Sequence, residues 1–259
     1  MTYGSLTVQF LGLLTAIFMP SREIPNSIFC KIPRTSQSQQ IKNMFSSITK
    51  SSLLLLAPLH LFRGMYIAFW LTIYPTTIAF TGQFAKNHNL IGYICIAFTI
   101  GEIALGFFIS HFSKKVKDFG LWPVFSMVIG SFSLNVLVWV LFTPKLSSIQ
   151  PTNDPAIFEN CIPIVIAMGA LNGIVDGCLN NVIMVILPKV LPSNPAVSFS
   201  ISKFYQSIAS ATFYFVSSLL TVHQLGALLT FTLATAAVGF SIVVKRVKAA
   251  HQIAPEGKK

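Results

Sequence analysis

Six apolar runs, each long enough to cross a bilayer, limit what this chain can fold into more than any other feature. Their approximate bounds are Leu53–Ile78, Leu90–His111, Leu121–Phe142, Ile162–Leu187, Val197–Val222 and Leu225–Val244. About 20 apolar residues in a helix span the roughly 30 Å of hydrocarbon. Inside lipid every backbone N–H and C=O must be met within the protein, so runs of this length fold as helices. Pro58, Pro75 and Pro123 lie within or near the ends of runs, where membrane helices tolerate them. Only 10% of the residues are charged and 53% are hydrophobic, against about 25% charged in soluble domains. The expected fold is all-α and polytopic, a six-helix bundle over residues 53–244. Residues 1–20 read as a short or partial transmembrane helix, 21–52 as a flexible basic cytoplasmic linker and 245–259 as a basic cytoplasmic tail.

The net charge of +11 does not point to nucleic acid, because the basic residues lie between apolar runs instead of in one patch. Five of the 18 fall in the linker, three around Ser113–Gly120, two in Pro188–Lys203 and five in the tail. The alternate loops hold only Lys86 and Lys145, and Arg63 sits inside a run. Basic residues stay on the cytoplasmic side, so both ends of the six-helix unit are expected there. Cys30, Cys95, Cys161 and Cys178 form no CxxC pair and no metal-ligand spacing. Nor do a nucleophile, a base and an orienting group gather at one depth. No metal, cofactor or enzymatic activity is expected; the lipid bilayer is the first partner.

The fourth run carries two stripes at helical spacing. Gly169, Gly173 and Gly177 make a groove that another helix can approach closely. Asn172, Asp176 and Asn180 form a polar ridge beside it. A carboxylate at this depth is costly in lipid, so Asp176 should face a bundle interior or a wet cavity. Elsewhere the runs hold few polar groups: His60 and Arg63 in the first, Glu102 in the second, Lys203 and Gln206 opening the fifth. At 1.5 Å per residue, Arg63, Glu102 and Asp176 all lie roughly 14 to 16 Å from the cytoplasmic ends. They are expected to share one internal layer, with Arg63 balancing one or both carboxylates. Such a layer is either a solute or ion cavity or a static pair that holds the bundle together. On the fifth run, Ser200, Lys203, Ser207, Ser210 and Tyr214 trace a further polar face.

Polar first, second, fourth and fifth helices with bland third and sixth ones resemble one half of a major facilitator superfamily transporter. Gly106-Phe-Phe-Ile-Ser-His-Phe-Ser-Lys-Lys115 stands where that superfamily has G-x-L-A-D-R-x-G-R-R between helices two and three. Gly106, Lys114 and Lys115 fit, while Ser110 replaces the acid and His111 the first basic residue. Three longer stretches are similar to the Unc-ninety-three-like branch. These are Thr99-Ile-Gly-Glu-Ile-Ala-Leu-Gly106, Gly173-Ile-Val-Asp-Gly-Cys-Leu-Asn180 and Pro195-Ala-Val-Ser-Phe-Ser-Ile-Ser-Lys-Phe-Tyr-Gln-Ser-Ile208. The resemblance implies a twelve-helix protein of which this chain is the C-terminal half, with Tyr3–Pro20 the tail of a preceding helix. It implies either a carrier of a small solute or ion, or a non-transporting regulator or chaperone of a potassium channel or a receptor. A lone half would leave its charged layer facing lipid. The chain is therefore expected to pair with a second half, a second copy or another membrane protein through its polar face and its glycine groove.

Overall fold

The computed structural model describes residues 36–84, 87, 89–115, 120–142, 157 and 161–253, with the isolated positions 14 and 18. Residues 1–41 and 42–259 form two compact units, and nearly all the described residues belong to the second. The expected helix over residues 1–20, most of the linker, Lys86 and Lys145 lie outside the described residues.

The regular elements are helices. They are α1 (Gln37–Ile48), α2 (Ser51–Ala68), a π-helical turn (Phe69–Ile73), α3 (Tyr74–Phe80), α4 (Leu90–Lys115), α5 (Leu121–Phe142), α6 (Ile162–Val190), α7 (Pro195–Ser217) and α8 (Val222–Ile253). Five stretches among the described residues are long and apolar enough to cross a membrane: Ser51–Phe80, Leu90–Ser113, Leu121–Phe142, Ile162–Val190 and Val222–Ala249. The protein is thus a polytopic all-α membrane protein. The sixth expected crosser, α7, has 23 residues and at 1.5 Å per residue reaches about 34 Å. Its length suffices, but Ser198, Ser200, Ser202, Lys203, Gln206, Ser207 and Ser210 lower its apolarity.

Three boundaries differ from the sequence expectation. The linker is not uniformly flexible, since α1 forms within it. Met44 and Ile48 pack on the hydrophobic core, and the Phe45 ring meets Phe204 with centroids 6.3 Å apart. Ile41, Met44, Phe45 and Ile48 recur at helical spacing, a pattern hidden among the Ser and Gln residues. The fifth apolar run ends early, at Ser217, where a turn leads into α8. Helix α8 then runs through Ile253, so the start of the expected tail is helical.

Helix α2 is the hub. Leu53, Leu56, Leu59, Phe62 and Tyr66 are almost wholly enclosed. Gly64 lies against the Gln206 carbonyl of α7, and Gly239 of α8 lies against the Leu55 carbonyl. Aromatic contacts tie α5 to both sides, Phe62 to Phe132 at 5.3 Å and Phe125 to Phe240 at 4.3 Å between centroids. Arg246 donates to the Ser51 hydroxyl at 2.8 Å, so the start of α2 and the late turns of α8 share one end of the bundle. The π turn precedes Pro75, which has no N–H to give and whose ring crowds the carbonyl four residues earlier. One extra residue in the turn relieves that crowding. Beyond it the Tyr74 hydroxyl donates to the Val165 carbonyl of α6 at 3.0 Å.

Candidate functional site

The site is built where α6 meets α2 on one side and α4 on the other. Arg63 Nη2 lies 3.3 Å from each carboxylate oxygen of Asp176. Arg63 Nη1 donates to the Asp176 backbone carbonyl at 3.1 Å. The Tyr66 hydroxyl, one turn farther along α2, lies 2.7 Å from Asn172 Oδ1 and 3.0 Å from the Asn172 carbonyl, shared as donor between them. These contacts run in opposite order along the two helices, so α2 and α6 are antiparallel. Arg63 is 7% exposed and Asp176 14%, which leaves the pair open on one side.

Glu102 joins this pair from α4. Its backbone N and Cα stand beside Gly173 and Gly177, the two stripe glycines that flank Asp176. The glycine stripe is what allows it so close. A Cβ on Gly173 would overlap the Phe98 carbonyl, and Gly169 and Gly177 meet Ile94 and Leu105. Gly101 of α4 reciprocates against the Ala170 carbonyl. With no side chains between the two backbones, Glu102 N sits 3.1 Å from where the Gly173 Cβ would be. Arg63 and Asp176 are thus paired, and the Glu102 backbone packs beside the turn that carries Asp176.

Other candidates are divided. Asn172 is buried against Tyr66, but Asn180, two turns along the same ridge, is exposed. Lys203 is exposed and donates to Gln206 Oε1 at 3.3 Å. Gln206 Nε2 donates to the Ser202 hydroxyl at 3.0 Å, and Ser202 Oγ lies 3.0 Å from His60 Nδ1. Which of the two donates depends on the tautomer of His60, whose other ring nitrogen is Nε2. That nitrogen is buried with no partner among the described residues. Ser200 turns back to its own helix at Ala196, Ser210 donates to the Gly64 carbonyl at 2.7 Å, and Tyr214 accepts from Thr72.

The loop-motif positions stand apart from the charge layer. Gly106, Ser110, His111, Lys114 and Lys115 form the closing turns of α4 instead of an interhelical loop. Ser110 and His111 are exposed, and nothing lies within 4 Å of where a Gly106 Cβ would stand. The expectation that the glycine groove awaits a partner is corrected, since α4 of the same chain fills it. Tyr66 and Ser202 were missed by sequence reasoning. The signal for Tyr66 was present: on antiparallel helices an Arg63–Asp176 pair brings the neighbouring turns together, and those hold Tyr66 and Asn172. Ser202 had no comparable mark among the serines of α7. An open apolar groove of about 480 Å³ lies between α5 and α8 and does not touch the charge layer.

A family model described as "Ion channel regulatory protein UNC-93" matches residues 2–241. The chain is 30% identical over 186 residues to the UNC93-like protein MFSD11 of Xenopus laevis, a match covering 70% of this chain and 41% of that protein. It is 32% identical over 181 residues to the UNC93-like protein MFSD11 of Xenopus tropicalis, covering 68% of this chain and 40% of that one. The chain thus spans about two fifths of the length of these curated relatives. No solved structure matches. Apolar helices long enough to cross a membrane and a family match across residues 2–241 lead to one assignment: the chain belongs to the UNC-93 family, a membrane-protein branch of the major facilitator type.

Proposed function

We propose that the chain supplies one wall of a polar site inside the membrane, built on Arg63, Asp176 and Glu102, that binds and moves a small solute or ion. One observation carries this reading: the Arg63–Asp176 pair lies within the apolar span and keeps part of its surface exposed, with the Glu102 backbone of α4 packed beside it. A static pair needs one carboxylate per cation and is best satisfied when fully enclosed. Ionisable groups at one depth with an open side suit a substrate or coupling-ion site. Arg63 holds Asp176, and Glu102 is left to exchange a proton or cation with whatever enters. The wall continues through Asn180 and Lys203, both exposed. Its polar complement comes from a second six-helix half, a second copy of the chain or another membrane protein.

The test is uptake of a panel of small polar solutes and ions by cells expressing the chain, with Asp176→Asn and Glu102→Gln at matched membrane abundance. At least one solute should accumulate above background, and both substitutions should abolish the gain. Uptake that ignores both substitutions would sink the proposal. The distribution of basic residues supports a further part of the reading, that both ends of the six-helix unit face the cytoplasm. Cysteines at positions 86 and 145 should then react with impermeant maleimide outside intact cells, and one at position 114 should not.

A second reading is favoured by the family description itself, "Ion channel regulatory protein". In it the open polar face docks against a channel in the membrane and no solute crosses. Channel co-purification and altered current, without accumulation of any solute, would decide for this reading. Asp176→Asn would then weaken assembly.

A further inference from the structure

Two small cavities lie among α2, the π turn, α3, α5, α6 and α8, off the charged face; the first shares Val136 and Gly226 with the apolar groove between α5 and α8. This first one holds about 10 Å³ of water-fitting volume and is walled in part by Tyr66, Asn135, Trp139, Met168 and Asn172. The other holds about 20 Å³ and extends to Thr77, Thr81 and Phe84, at the far end of the span. Tyr74, Trp139 and Met168 line both, so the cavities adjoin through one ring of side chains. A volume of about 10 to 15 Å³ is what one water requires. Neither cavity is large enough for a solute.

The chemistry of the walls selects the occupant. Trp139 is 4% exposed and Asn172 2%, and both line the first cavity. Trp139 Nε1 and Asn172 Nδ2 are buried and have no hydrogen-bond partner among the described residues. The Tyr66 hydroxyl engages Asn172 Oδ1, which leaves the amide nitrogen for the cavity. Unmet donors in a low-dielectric interior are expensive, so an acceptor belongs between them. A hydrocarbon offers none, and a cation would be repelled by two N–H groups. An anion would need a counter-charge, and the Arg63 guanidinium is already held by Asp176. Water accepts from both donors. Toward the far end, Thr77 and Thr81 donate their hydroxyls to the Ile73 and Thr77 carbonyls. Their oxygens keep lone pairs for a water's own hydrogens.

We propose that each of these cavities holds a bound water, one shared by Trp139 Nε1 and Asn172 Nδ2 and one beside Thr77 and Thr81, separate from the open polar wall. The first of these waters stands one helical turn short of the Arg63–Asp176 pair.

The measurement is X-ray hydroxyl-radical footprinting of the full chain in lipid nanodiscs, because radicals formed from a bound water oxidise the side chains that touch it. Met168, Trp139 and Tyr74 are reactive reporters around the shared ring. Trp70, 6% exposed and stacked on Phe98 at 4.2 Å, is an equally enclosed control of the same chemistry. Trp139 and Met168 should oxidise several-fold faster than Trp70. Trp139→Phe removes one donor and should bring Met168 down toward the control. Labelling of Trp139 and Met168 no faster than Trp70 in the unaltered chain means dry cavities and overturns the proposal, whether or not the variant folds.

Discussion

Helix α6 makes two opposite kinds of contact. On its glycine side the backbones of α4 and α6 touch with almost nothing between them. On its polar side Arg63, Tyr66 and Tyr74 reach across from α2 and α3 to Asp176, Asn172 and Val165. The glycine contact uses shape alone and leaves no space. The polar contact spans a gap with long side chains, and the small cavities open on this side, at Met168 and Asn172. Close packing thus fixes where Glu102 stands, while hydrogen bonds preserve room beside the ion pair. One helix supplies both the rigid mount and the wet edge of the site.

The largest effect should come from breaking the glycine side. Even a methyl group at position 173 would overlap the Phe98 carbonyl, which is backbone and cannot swing away. Gly173→Leu should cost about 3 kcal/mol or more by overpacking. Thermal unfolding followed by size-exclusion chromatography should show little folded protein. A Gly173→Leu chain as stable as the parent would mean that α4 and α6 are not in contact.

Breaking the polar side should cost less. Arg63→Ala leaves Asp176 without its cation, a change worth about 3–5 kcal/mol when the charge is fully buried. Because Asp176 keeps some exposure, the lower end applies. Asp176→Asn on the Arg63→Ala background should recover part of the loss, and the double-mutant cycle reads the coupling. Additive losses would assign Arg63 another partner. Tyr66→Phe, which strands Asn172, should cost about 1–3 kcal/mol.

The two sides of α6 were not equally legible from sequence. The glycine stripe and the polar ridge can both be read, because a 3.6-residue period places each on one face. What lies opposite each face cannot be read from one helix. Gly173 could accept any helix, and only the fold supplies α4. Depth counting expects Arg63, Glu102 and Asp176 at one level, and of these Arg63 and Asp176 are found paired. It could not foresee that Asn180 turns outward. Nor could it foresee that Gln206 pairs with Ser202 and not with the charge layer. Helix α1 was hidden because Ser and Gln dominate its composition, while the spacing of Met44, Phe45 and Ile48 that buries it is sparse. Orientation rests on Lys86, Lys145 and the tail, and the packing of the helices is indifferent to which side of the membrane each end occupies.

The smallest effect should come from the glycine that packs against nothing. Gly106 and Gly173 are both helical glycines, and intrinsic propensity favours alanine at either by up to about 1 kcal/mol. At position 173 the overlap with Phe98 outweighs that gain. At position 106 an added Cβ meets no atom within 4 Å, so the gain should stand undiminished. Gly106→Ala is expected to leave the chain as stable as the parent or slightly more so, by a few tenths of a kcal/mol to about 1 kcal/mol in unfolding measurements. The same substitution separates packing from function, because Gly106 opens the loop motif whose residues otherwise lie on exposed helix. If that motif works by letting another membrane segment approach α4, Gly106→Ala should reduce uptake or channel co-purification while stability holds. Loss of stability instead would show that position 106 is packed within the bundle, and that the contrast drawn between the two glycines is wrong.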